Sequence, residues 1–125
     1  MSKKNILFLL DNPYSNDRRV MREAEALNQS GDFRVQVIAT FKSNFLKQEI
    51  INGVQIDRLF LADIKDVKDF NSHSKYASII ADKYDFDSIH AHDQVMLNIA
   101  VKLKRVRSPT GQVFVILTLP VTDTV

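Results

Sequence analysis

The 125-residue chain contains no cysteine. That excludes disulfides, thiolate metal sites and a cysteine nucleophile, and it agrees with a reducing compartment. Net charge is nearly absent, at +2 with the histidines neutral, which is too little to argue for nucleic acid as a partner. Basic residues are scattered except for Lys102, Lys104, Arg105 and Arg107. These fall in the last turn of a predicted helix, where cations complement the helix dipole; an anionic membrane surface is the alternative reading. Long apolar runs are also lacking. None approaches the ~18 residues of a membrane span, and the run after Lys4 is too short for a secretory signal. The expected location is the cytoplasm, or the inner face of the membrane. The three glycines form no G-x-G-x-x-G, G-x-S-x-G or G-x-x-x-x-G-K-[ST]. Dinucleotide binding, a serine-hydrolase elbow and a P-loop are therefore not expected. No repeat or low-complexity segment occurs.

An apolar fraction of 45% and a charged fraction of 26% are ordinary for a soluble globular protein. The length suggests one domain over residues 1–125, able to bury about two-thirds of its unfolded surface. Asn5–Leu10 is a continuous apolar run, as in a strand buried on both faces. Asp11–Asn16 is turn chemistry, and Asn16 or Asp17 caps the next helix. Val20, Ala24 and Leu27 recur at helical spacing, and Gly31 ends that helix. Arg34–Ala39 completes a βαβ unit with a right-handed crossover. Asn52-Gly53 is a tight hairpin signal. The strand after it loses alternation at Arg58, so its far end reads as an edge. The loop from Phe41 to Leu46 shows two aromatics that read as exposed.

Val67, Phe70, Ala77, Ile80 and Ala81 fit a second amphipathic helix ending near Tyr84. A short strand follows at Asp87–Ala91. Asp93 caps a third helix with Val95, Met96, Ile99, Ala100 and Leu103 on its apolar face. Val113–Leu117 is a last buried strand. The alternation predicts a three-layer α/β/α sandwich, with a Rossmann-like parallel sheet in the order 3-2-1-4-5 and a β-hairpin insertion. That order brings Asp11–Asn16 beside His90–Asp93 at the switch point, where open α/β sheets bind ligands.

His90 and His92 lie two apart on a strand and share a face. With Asp93 they invite a metal reading, but three converging ligands are needed and the remaining histidine, His73, is remote in sequence. No metal site is expected. Hydrogen bonding to a polyol, or base chemistry near neutral pH, suits these histidines better. The plainer alternative is one core histidine satisfied by backbone, with Asp93 a simple cap. At the first loop, Arg18, Arg19 and the helix N-terminus suit an anion or a sugar hydroxyl, or the arginines are merely solvated.

Asn16-Asp17-Arg18-Arg19-Val20-Met21-Arg22-Glu23-Ala24-Glu25-Ala26-Leu27 resembles the Asp-x-Arg-Val-x-x-Glu-Ala-x-x-Leu opening of group 1 glycosyltransferases (family four). Gly53-Val54-Gln55-Ile56-Asp57-Arg58 resembles that family's Gly-Val-x-Val-x-Arg strand. Tyr84-Asp85-Phe86-Asp87-Ser88-Ile89-His90-Ala91-His92-Asp93 resembles its Tyr-Asp-x-Ile-His-Ala-His-Asp segment, with two extra residues before the isoleucine. The resemblance implies an N-terminal, acceptor-side domain of a GT-B fold, in a retaining transferase of the kind used in polysaccharide biosynthesis.

It further implies that Asn12, Ser15, Asn16, Arg18, His92 and Asp93 line the acceptor side. The acceptor would be a sugar, glycan or lipid-linked molecule. The donor would be a UDP- or GDP-type nucleotide sugar held by a C-terminal domain that this chain lacks, so the chain alone would be silent. No further cofactor is expected. Catalytic residues stay unassigned, since Thr118–Asp123 lacks the histidine that the family carries beyond the fifth strand. The donor half would be supplied by a further domain or a partner chain, or its surface covered in a homodimer. The loop Phe41–Lys47 would touch a lipid-linked acceptor or a membrane surface, or else pack against the hairpin. A stand-alone α/β binding module is the alternative for the whole chain.

Overall fold

A computed structural model describes residues 3–15, 17–59, 70–107 and 114–117. The elements are β1 (Lys4–Leu9), α1 (Arg18–Gln29), β2 (Phe33–Thr40), β3 (Gln48–Ile51), β4 (Val54–Leu59), α2 (Phe70–Lys83), β5 (Ser88–Ala91), α3 (Gln94–Arg107) and β6 (Phe114–Leu117). The sheet order is β3-β4-β2-β1-β5-β6. All neighbours are parallel except β3 and β4, which form the antiparallel hairpin. The five parallel strands thus take the expected order 3-2-1-4-5, and the hairpin arm β3 is added as a sixth strand on the edge. Val67 and Val113 lie outside the described residues.

Period-two alternation along β1 divides the core. Ile6, Phe8 and Leu10 face α1 with Val20, Ala24, Val35, Val37 and Ile56. Leu7 and Leu9 face α2 and α3 with Ala77, Ile80, Ile89, Met96 and Ile99. One helix above the sheet and two below make the three layers, because a strand buried on both faces needs cover on both.

Local chemistry sets the boundaries. Asp17 accepts from the Val20 amide to start α1, and Gly31 follows the helix at φ +87, the left-handed backbone that glycine tolerates. In the hairpin, Asn52 and Gly53 have φ of 50 and 84, the pair of positive angles of a I′ turn. Asn28 of α1 donates to the Gly53 carbonyl at 3.0 Å and so ties helix to hairpin. At the same end of the sheet, Asp87 accepts from the Asn5 amide at 2.7 Å and returns its own amide to the Asn5 carbonyl at 2.8 Å.

Two expectations are corrected. Arg58 does not mark an edge: β4 lies between β3 and β2, and Arg58 is only 3% exposed. Its alternation breaks because the guanidinium has buried partners. Nε donates to the Pro13 carbonyl at 2.7 Å, and Nη1 donates to the Leu46 carbonyl at 2.9 Å and pairs with Glu49. The aromatics of the 41–47 loop are half-buried rather than exposed. Phe45 lies under the Arg58 guanidinium at 4.8 Å and Phe41 under the Lys47 ammonium at 5.8 Å. The loop packs on the far end of β4, where the Lys47 carbonyl accepts from the Arg58 amide at 2.7 Å.

Replacing one member of a buried network leaves the others unpaired, which costs more than the net worth of each bond. Arg58→Met is expected to lower stability by about 3 kcal/mol, measured by urea unfolding of the full chain. Glu49→Gln, at a half-exposed partner, is expected to cost about 1 kcal/mol or less. Equal losses from the two variants would refute Arg58 as the anchor.

Candidate functional site

The C-terminal ends of β1 and β5 lie side by side, since Leu9 pairs with Ala91. Strand order diverges here, with β2 on one side of β1 and β5 on the other. A crevice opens where the two following loops part. It holds a cavity of about 420 Å³ lined by Asp11, Asn12, Asp17, Arg19, Val20, His92 and Asp93.

The β1 loop is shaped by an Asx turn. Asn12 Oδ1 accepts from the Tyr14 amide at 2.8 Å, and Asn12 Nδ2 donates to Asp17 at 3.1 Å. Tyr14 adopts φ 61, uncommon for a residue with a side chain. The turn, the Arg58 grip on the Pro13 carbonyl and the burial of the Tyr14 ring hold it there. Burial pushes the Tyr14 hydroxyl up to about 12, with Glu25 adding to the rise, so it stays protonated. The loop is further fixed by the Thr40 amide donating to the Asn12 carbonyl at 2.9 Å.

Both helices that start at the crevice are capped by their own carboxylates. Asp17 caps α1, and Asp93 caps α3 by accepting from the Met96 amide at 2.8 Å. Burial raises the Asp93 carboxyl above its usual range, while the backbone amides of Met96, Val95 and Asp11 oppose the rise. The Asp11 amide thus links the end of β1 to the cap of α3.

The two histidines share the Phe8 ring. His90 stacks on it at 4.9 Å with the planes 10° apart, and His92 lies against it at 5.0 Å, tilted by 42°. Beyond that their circumstances differ. His90 Nδ1 meets Glu23 of α1 at 3.3 Å. The satisfied histidine of the pair is therefore His90, held by a carboxylate rather than by backbone. His92 is 8% exposed, and neither ring nitrogen has a hydrogen-bond partner among the described residues. Burial lowers its pKa to about 4, with Glu23 and Asp17 pulling the other way and His90 and Arg19 adding to the drop. It is therefore neutral near pH 7, with one nitrogen a donor and the other an acceptor. Asp11 Oδ1, also at the cavity, is likewise buried without a hydrogen-bond partner among the described residues.

Of the residues expected at the site, Asn12, His92 and Asp93 line the cavity, while Ser15 and Arg18 do not. Arg18 is exposed on the first turn of α1, and Asn16 lies outside the described residues. Both polar groups of Asn12 are used within the protein, so its part is to shape the loop. Arg19, which the sequence offered beside Arg18 for an anion or a sugar hydroxyl, lines the cavity, and so do Asp11, Asp17 and Val20, which were not singled out as site residues by the sequence. Their signal was position alone, since they flank the strand end and the first turn of α1. Among the described residues no group of three or more histidine and carboxylate side chains is arranged to hold a metal ion, and no helix is long and apolar enough to cross a membrane.

No family model and no curated protein matches the chain. Among solved structures it is similar to sucrose-phosphate synthase from Thermosynechococcus elongatus. Identity is 14% and the TM-score 0.61, over 82% of this chain and 30% of that one. The chain therefore has a glycosyltransferase-like fold and spans less than a third of that neighbour's length.

A histidine with its pKa lowered by folding contributes stability that is complete above its unfolded pKa of 6.5 and is lost as pH falls toward 4. Acidification across that window is expected to remove up to about 3 kcal/mol through His92. Asp93, raised by burial, acts in the opposite sense, so the wild type must be compared with His92→Gln. Urea unfolding between pH 7.5 and 4.5, as about three steps, should show a steeper decline in the wild type. Parallel curves would refute the burial of an unpartnered His92.

Proposed function

We propose that this chain is the acceptor-side half of a sugar transferase. It holds a sugar, glycan or lipid-linked acceptor in the crevice between β1 and β5, while a second half presents a nucleotide-activated sugar. The observation that carries this reading is His92. A buried imidazole with two open nitrogens at a strand end of an α/β sheet is an unmet polar requirement, and a sugar hydroxyl both donates and accepts. The glycosyltransferase-like fold supports it by giving that crevice a sugar-handling context.

In this reading His92 orients the acceptor, Asp17 and Asp93 brace the crevice walls, and the donor half completes the site. Expected partners are a donor-binding segment or chain, or a second copy covering the same surface. Leu46 and Ile50, 64% and 67% exposed near Lys42 and Lys47, suit the anionic membrane surface from which a lipid-linked acceptor would be drawn.

The full chain incubated with UDP-glucose or GDP-mannose is expected to release no nucleotide above the buffer rate. Robust turnover would overturn the half-site reading. Saturation-transfer NMR with methyl glucosides is expected to show contact that His92→Ala weakens about tenfold, the loss expected for a hydrogen bond to a buried polar group. In size-exclusion chromatography a self-associating chain is expected, and a strictly monomeric chain lacking sugar contact would favour a stand-alone module of another kind. Vesicles containing phosphatidylglycerol should co-sediment the wild type and release Leu46→Asp. Equal binding of the two would remove the membrane surface from the proposal.

A further inference from the structure

The charge and hydrogen-bond balance of the crevice points to the kind of acceptor it takes, and this step rests on the acceptor-side reading above. A helix N-terminus is ordinarily a ready place for an anion, since its free amides and dipole favour negative charge. Two helices start at this cavity, and at each N-terminus a carboxylate of the chain already accepts from a first-turn amide. Asp17 fills α1 through the Val20 amide at 3.5 Å, and Asp93 fills α3 through the Met96 amide at 2.8 Å. A phosphate or carboxylate entering here would find those amides taken and a like charge in place.

The remaining walls add to this. The cavity is lined by the carboxylates of Asp11, Asp17 and Asp93 against the one guanidinium of Arg19, and Arg19 already has an interaction of its own. Among the residues that line the cavity, the unspent buried groups are the Oδ1 of Asp11, which only accepts, and the His92 ring nitrogens, which together donate once and accept once. Open acceptors therefore outnumber open donors by two to one. The unpartnered side chain at this cavity is His92, more than nine-tenths buried, lining the cavity and without a hydrogen-bond partner among the described residues. A group that meets these atoms must bring donors and must not bring negative charge.

We infer that the crevice selects an uncharged or amine-bearing sugar ring, whose hydroxyl or ammonium hydrogens are donated to Asp11 and to one His92 nitrogen while a sugar oxygen accepts from the His92 N–H, and rejects phosphorylated and uronic-acid acceptors. Carboxylates that cap the helices serve a second purpose here by repelling anionic competitors, a repulsive element of the kind that specificity requires.

The test uses the full chain labelled with ¹⁵N and follows the His92 ring nitrogens by long-range proton–nitrogen correlation. The probes are glucose, glucosamine, glucose 6-phosphate and glucuronate. Glucose and glucosamine are expected to shift the His92 signals at concentrations at least about tenfold below those at which the two anionic sugars do. Asp17→Asn keeps a capping side chain while removing a charge, and the double variant Asp11→Asn/Asp17→Asn is expected to shrink that gap to about threefold or less. Anionic sugars binding as well as neutral ones, or a gap unchanged in the double variant, would overturn this inference and leave the acceptor-side reading standing. Absence of any His92 shift with all four sugars would overturn both.

Discussion

The guanidinium of Arg58 is the constraint on which the arrangement of the crevice depends. From the end of β4, one strand in from the edge of the sheet, it reaches the Pro13 carbonyl on the β1 loop, the Leu46 carbonyl on the loop after β2, and Glu49 on the edge strand. Three segments with little local reason to meet are thereby held to one strand end. Its planar, forked donors suit several acceptors at once, and its face suits the Phe45 ring. The Tyr14 backbone, in a conformation it would not choose alone, follows from that grip and from the Asn12 turn. The cavity wall formed by Asp11 and Asn12 is built on the same loop.

Around the crevice the polar groups divide into those already used and those left over. Asn12, Asp17, Asp93 and His90 each have a partner within the protein. They set positions and charge. His92 and Asp11 Oδ1 have none among the described residues. Desolvating such groups without compensation costs free energy, and in the proposed function the acceptor relieves that cost at His92 and Asp11. The contrast between His90 and His92, two residues apart on the same phenyl ring, shows how narrowly the division is drawn.

Much of this was legible in the sequence. Apolar runs and helical spacing are properties of backbone geometry, so the order of elements, the Asn52-Gly53 turn and the Asp17 and Asp93 caps could be read locally. The meeting of Asp11–Asn12 with His92–Asp93 followed from parallel connections alone. What could not be read was long-range pairing. Arg58 looks like a surface residue interrupting a strand, because its acceptors are backbone carbonyls 45 and 12 residues away. Likewise, no pattern in His90-Ala91-His92 tells which histidine Glu23 of α1 will reach. Ser15 and Arg18 flank the right loop, but the start of α1 turns Arg19 and Val20, not Arg18, toward the cavity.

The central place of β1 also bears on how the chain is made. Its first partner, β2, follows after one helix, but its other edge is closed only by Ser88–Ala91. The cover for Leu7 and Leu9 comes from α2 and α3, later still than the hairpin. During vectorial synthesis the α1 side can therefore condense first, while β1 presents an open, apolar edge until β5 emerges. Such an edge is the usual starting point for wrong pairing between nascent chains. The conditions of translation, as much as final stability, would then govern the yield of folded protein.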